Sequence, residues 1–162
     1  MPIDVHAHYV PSTVTETLAR EGSRFGIALF ETAPACHAIR FPYGVSLRPF
    51  FAKLTEDPKQ RLASMDATGI DRQLLSTWCD VFGYGLERAQ GTAWHRVLNE
   101  TLAAFVQRHP DRFAFLASVY LPDAASARCH STICGRRPSR STRRSSFTRH
   151  SRTRPRARNA TR

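Results

Sequence analysis

The sequence predicts an α/β fold with parallel strands, followed by a basic tail expected to be disordered, and three observations carry that expectation. Residues 3 to 8, IDVHAH, alternate apolar and polar side chains almost from the first position, which is the period of a strand. Residues 72 to 121 then read as strand, long helix and second strand, the grammar of a right-handed βαβ crossover. The third observation is a break in composition. Of the 24 Lys and Arg, twelve lie in residues 128 to 162, all of them Arg, and none of the 13 acids lies there. Residues 1 to 127 are close to neutral, and the tail supplies the whole formal charge of +11. At 162 residues and 41% hydrophobic, the chain has enough apolar material for one core.

Taken in order, the first strand puts Ile3, Val5 and Ala7 on one face and Asp4, His6 and His8 on the other. Residues 9 to about 56 read as an irregular insertion, broken by Pro11, Pro34, Pro42 and Pro49. Inside it, HAIRFPYGVSLRPF suggests a small hairpin turning at Tyr43-Gly44. Asp57-Pro58 is an N-cap followed by proline at the first helical position, Leu62 and Met65 form a short apolar stripe, and Gly69 supplies a left-handed stop. RQLLST, residues 72 to 77, is a short strand. After the glycine-bearing loop WCDVFGYG, a helix is expected from about Gln90 to Arg108, with Trp94, Val97, Leu98, Leu102, Phe105 and Val106 recurring at three and four. His109-Pro110 ends it, and FAFLASVYL, residues 113 to 121, is an apolar run of strand length.

The first twenty residues lack a basic start and an apolar run, so they do not read as a secretory signal. No stretch approaches the roughly 18 consecutive apolar residues of a membrane span. A cytoplasmic protein is expected, with Cys36, Cys79, Cys129 and Cys134 as reduced thiols.

After Asp123-Ala124-Ala125, where the next helix should begin, the pattern stops. Residues 128 to 162 keep only Ile133 and Phe147 as large apolar side chains, too few to offset the entropy of ordering the segment. Such a tail could bind nucleic acid by charge alone, although it lacks aromatics to stack on bases. Cys129, His130 and Cys134 could be zinc ligands but lack a fourth partner at an accepted spacing. The third reading is translation of a GC-rich gene in the wrong frame. It is preferred because the break falls where a buried helix is needed, and nucleic acid is accordingly not the expected partner.

Chemistry concentrates in His6 and His8. Residues i and i+2 of a strand share a face with Cα atoms about 6 to 7 Å apart. Two imidazoles from that separation can reach one zinc ion at about 2.0 to 2.1 Å, although two histidines at a strand end can also be mere neighbours. Asp4 reads as a hydrogen-bonded group beside them. His37, His95 and His109 are weaker candidates, the last explained by a favourable position at a helix C-terminus.

IDVHAH looks like the first metal motif of the amidohydrolase superfamily. In order, IDVHAHYVP, LRPF, RLASMDATGIDRQLLST, VFGYG and LNETLAAFVQRHPDRFAFLASVYLPDAASA resemble the N-terminal third of the 2-amino-3-carboxymuconate 6-semialdehyde decarboxylases and related amidohydrolases, over residues 3 to about 127. The resemblance implies part of a (β/α)8 TIM barrel, about the first three strands, with the active site at the C-terminal strand ends. It also implies a divalent metal, usually zinc, held first by His6 and His8, and metal-bound water acting on a small-molecule carboxylate. Arg48, within a one-residue slip, matches an arginine that grips a substrate carboxylate, a task suited to its planar fork of donors, though an exposed hairpin arginine reads as well. The expected reaction is non-oxidative decarboxylation, with hydrolysis or hydration of a related acid as the alternative.

A catalytic zinc site needs about three protein ligands, and a complete barrel about 250 residues. The later strands that bring the remaining ligands are absent. His130 and His150 have no strand context to replace them. This chain is therefore expected to be an incomplete and inactive part of an enzyme, and its open sheet edges lead to the expectation of a partner, aggregation or marginal stability, a homo-oligomer being one form of partner.

Overall fold

The structure, a computed structural model, describes residues 1 to 121. The basic tail, the Cys129, His130 and Cys134 set, His150 and the helix expected after Asp123 lie outside the described residues.

Among the described residues five strands and three α-helices follow one another: β1 (Ile3–His8), α1 (Ser12–Phe25), β2 (Ala28–Ala33), β3 (Cys36–Arg40), α2 (Pro58–Ala67), β4 (Arg72–Ser76), α3 (Arg88–Gln107) and β5 (Phe113–Leu116). β1, β4 and β5 form a parallel sheet in that order, with β4 in the middle. β2 and β3 form a separate antiparallel hairpin. This is the mixed α/β arrangement the sequence predicts, and the parallel sheet is consistent with part of a TIM-type barrel.

The β4-α3-β5 crossover needs a long helix with one apolar face. Leu98, Leu102 and Phe105 of α3 are buried, as is Trp94, whose Nε1 donates to the Val81 carbonyl at 2.7 Å. α2 starts as its sequence dictates: the Asp57 side chain accepts from Lys59 N at 2.8 Å, Pro58 opens the helix, and Gly69 just beyond its end has φ +69°. Ala7, Leu75 and Phe113 from the three strands pack with Met65 of α2 and with Leu102 and Phe105 of α3. A second apolar cluster joins Val14, Leu18 and Phe25 of α1 to Ile39, Trp78, Trp94 and Leu98. Each such side chain, fully buried, contributes about 1.5 to 3 kcal/mol against exposure.

The expectation of an irregular segment over residues 9 to 56 is corrected. α1 occupies fourteen of those residues. It begins at Pro11 without a side-chain cap, so the usual start signal is missing. Val14, Leu18, Gly22 and Phe25 are nevertheless its buried positions, spaced four, four and three, and Gly26 (φ +69°) ends it. The β2-β3 turn was hidden for a similar reason. It passes through Pro34 and Ala35, the latter at φ +60° without being glycine, and Glu31 Oε1 accepts from Ala35 N at 2.7 Å to hold it.

The turn expected at Tyr43-Gly44 exists. Gly44 has φ +88°, Phe41 N donates to Val45 O, and Arg40 and Ser46 form an isolated antiparallel bridge. Leu47 N then donates to Ile39 O at 2.9 Å and Phe50 N to His37 O at 2.8 Å, so the chain carrying Arg48 runs back along β3. The last predicted strand is shorter than expected: β5 stops at Leu116, and Ser118 is held by the Asn99 side chain of α3.

Candidate functional site

Three local features position the histidine pair. The first is the pairing of β1 with β4, which sets Asp4 opposite Gln73, Ala7 opposite Leu75 and His8 opposite Ser76. Two residues of β1, Val5 and His6, stand against the single Leu74, so the strand carries a bulge in its middle. The clean alternation expected for Ile3 to His8 is therefore interrupted. Directly paired residues share a face, so Asp4 lies with Gln73 on the side of α2, and His8 lies with Ser76 on the opposite side. The expectation that Asp4 shares the histidine face is corrected for this reason.

The second feature is the buried support behind the strand. Asp4 Oδ2 accepts from Gln73 Nε2 at 3.0 Å, and Gln73 Oε1 accepts from Arg61 Nε at 2.9 Å. Arg61 is only 2% exposed, donates also to the carbonyls of His8 and Lys53 at 3.2 Å, and lies 4.8 Å from the Tyr9 ring centroid. Burial pulls its guanidinium below its ordinary range, a shift opposed by Glu56, Tyr9 and Asp4. Asp4 Oδ1 also accepts from His6 N at 3.0 Å, which satisfies a backbone group freed by the bulge. Arg61 and Gln73 escaped the sequence reading because a buried arginine on a helix carries no local signature.

The third feature is the rings themselves. His6 and His8 meet edge to face, with centroids 5.1 Å apart. His8 Nδ1 lies 2.9 Å from Ser76 Oγ. A serine hydroxyl can accept from Nδ1–H, which fixes the tautomer whose Nε2 lone pair is free to bind an ion. His6 is exposed and His8 half-buried, so solvent reaches the pair. The donor set suits a borderline cation such as zinc, but it is short. Among the described residues no group of three or more His, Cys, Asp or Glu side chains could hold a metal ion. Two imidazoles fit the beginning of a site and do not complete one.

Arg48 is exposed, and its guanidinium stacks 5.2 Å from the Trp78 ring and 5.6 Å from that of Phe51. Trp78 follows Ser76 by two residues at the C-terminal exit of β4. His8 and Arg48 are thus anchored at the same end of the parallel sheet, one through Ser76 at the end of β4 and the other through Trp78 just beyond it. In open parallel folds this is the end that carries chemistry.

Two further described histidines, His95 and His109, pack against aromatic rings. His95 is buried: Nε2–H donates to the Phe82 carbonyl at 2.9 Å, and Nδ1 faces Ser118 Oγ at 3.0 Å. Burial lowers its pKa from 6.5, against the raising effect of the Phe82 and Ser118 backbone. His109 packs beside Phe105 and Phe113, and His37 lies on β3. Cys36 and Cys79 are free thiols.

No protein-family profile matches the chain. Among solved structures, the chain is similar to 5-carboxyvanillate decarboxylase from Sphingomonas paucimobilis, with a TM-score of 0.52 and 27% identity, over 78% of this chain and 36% of that one. The chain spans about a third of the length of the decarboxylase it matches. The likeness supports the amidohydrolase-superfamily resemblance without singling out the carboxymuconate-semialdehyde decarboxylases. No described helix is long and apolar enough to cross a membrane.

Proposed function

We propose that this chain is the N-terminal part of a metal-dependent carboxy-lyase of the amidohydrolase superfamily, acting without oxidation on a small carboxylated metabolite. The observation that carries this reading is the pair of imidazoles 5.1 Å apart at the C-terminal end of the first strand of a parallel sheet. The likeness to a decarboxylase supports the choice of reaction over hydrolysis or hydration of a related acid.

In this reading His6 and His8 are the first two ligands of a divalent ion, zinc by the donor type, and the ion supplies Lewis acidity toward substrate oxygen. Ser76 orients His8, and the Arg61–Gln73–Asp4 chain holds the strand from behind. Arg48 grips the substrate carboxylate, its guanidinium held over the Trp78 ring with a planar fork of donors suited to a carboxylate. The remaining ligands come from outside the described residues. Turnover by this chain alone is therefore not expected.

Titration of the full chain, zinc present, with 5-carboxyvanillate tests the substrate arm, since carboxylate binding at Arg48 changes the fluorescence of the Trp78 ring beneath it. The Arg48→Ala variant is expected to bind at least about tenfold more weakly, the loss of a charge-assisted hydrogen bond of about 1.5 to 3 kcal/mol. Equal affinity of variant and parent removes Arg48 from the site.

A further inference from the structure

His95 of α3 stands between two strand exits. Its Nε2 lies 2.9 Å from the carbonyl of Phe82, in the turn Cys79–Phe82 that follows β4, and its Nδ1 lies 3.0 Å from Ser118 Oγ, just beyond β5. Trp78 opens that turn: Val81 N donates to Trp78 O at 3.1 Å, and Trp94 Nε1 donates to the Val81 carbonyl. A carbonyl can only accept, so Nε2 carries the proton of the neutral ring, and Nδ1 then accepts from the Ser118 hydroxyl. The ring is 3% exposed and enclosed by those of Phe82, Tyr84 and Tyr120, with centroids 5.4, 5.5 and 5.7 Å away. Among the described residues, the titratable groups facing it are the phenols of Tyr84 and Tyr120; Asp80 of the turn and Arg96 of α3 are exposed, and no carboxylate bonds to the ring.

From this we propose that His95 is a proton-sensitive latch, which joins the exits of β4 and β5 while its ring is neutral and lets go when the ring takes a second proton. That proton goes to Nδ1 and reverses the bond there. Nδ1–H then donates to Ser118 Oγ, and the serine hydrogen turns toward Asn99 Oδ1 at 3.2 Å, an oxygen that already accepts from Ser118 N at 2.8 Å. A full charge meanwhile appears in an enclosure with no counter-ion. Aromatic faces return part of its cost, but burial favours the neutral form. An imidazolium that has left the enclosure is hydrated, so protonation favours the open arrangement, and the depressed pKa of the ring has the same sign. The latch is therefore whole above the ordinary pKa of 6.5 and weakens as pH falls below it. The inference concerns the order of two strand exits at the rim of the candidate site and stands independently of what Arg48 or the histidine pair binds.

The test is amide exchange of the full chain, read by NMR at pH 7.5 and 5.5 as protection factors, which remove the intrinsic pH dependence of exchange. The Ser118 amide is expected to lose about five- to tenfold in protection at pH 5.5, tenfold being about the limit for one imidazole of ordinary pKa 6.5 that stays neutral while latched. In His95→Gln, whose side-chain amide offers a donor to Phe82 O but does not titrate, the loss should be under about twofold. An equal loss in parent and variant overturns the latch. The imidazole nitrogen shifts of the parent chain give a second readout that needs no variant to fold. At pH 7.5 they should place the proton of His95 on Nε2; a ring protonated on Nδ1, or charged at that pH, overturns the proposal.

Discussion

Arg61 does at the residue scale what the sequence could not advertise. Its three donated hydrogen bonds tie α2 to the side chain of Gln73 and to the carbonyls of His8 and Lys53, directly behind the histidine pair. Replacing it with methionine keeps much of the volume but leaves those buried acceptors without a donor, at a cost of about 1 to 3 kcal/mol each for those that water cannot reach. We predict that Arg61→Met lowers the unfolding free energy by about 3 kcal/mol in urea titration; a change under about 0.5 kcal/mol would contradict the supporting role. His95 makes a second prediction. Burial depresses its pKa below 6.5, so between that lowered value and 6.5 the unfolded chain binds more protons than the folded one. The contribution of His95 is fully present above pH 6.5 and is lost as pH falls toward the depressed value. Denaturation curves at pH 7.5 and 5.5 should therefore show lower stability at 5.5, with the difference reduced in His95→Gln; an unchanged difference in the variant assigns the loss to other groups.

At the scale of elements, α3 is fastened at its start by an unusual contact. The Tyr120 hydroxyl donates to the Leu86 carbonyl, and the tyrosine ring lies where a side chain at Gly91 would stand. Alanine in a helix is ordinarily better than glycine by about 1 kcal/mol. Here a Cβ would run into the ring, so Gly91→Ala is predicted to destabilise by about 1 to 3 kcal/mol, while the Gly91→Ala, Tyr120→Ala double variant should lose less than the sum of the single changes. Additive losses would show that the two residues do not meet. The same scale explains what could be read in advance. β1, α2, β4 and α3 announce themselves through alternation, a capping aspartate with proline, or an apolar face of period 3.6, all of them local properties. α1 has the period but no capping side chain, and β2-β3 turns at Pro34-Ala35 with neither glycine nor asparagine, held instead by Glu31. The bulge in β1 is a property of its pairing with β4 and has no signature in IDVHAH, so strict alternation places Asp4 on the wrong face. His6, His8 and Arg48 could be singled out by residue type and resemblance; Ser76, Gln73 and Arg61, which hold them, acquire meaning only across the sheet.

At the largest scale, among the described residues β1 and β5 are the outer strands of the parallel sheet, and Ile3, Val5, Leu116 and Val119 stand more than half exposed at its margins. Unpaired strand edges with apolar side chains promote association. Val5→Lys should accordingly reduce self-association in light scattering while changing stability by less than about 0.5 kcal/mol; undiminished association would place the sticky surface elsewhere. The account as a whole stands on the two histidines acting together as ligands from one strand end. Zinc titration of the full chain and of its His6→Ala and His8→Ala variants side by side, followed through the imidazole signals by NMR, measures this most directly. Zinc-dependent shifts of both ring signals in the parent chain, weakened in each variant, are the predicted result; a parent chain whose His6 and His8 signals do not respond to zinc would contradict it.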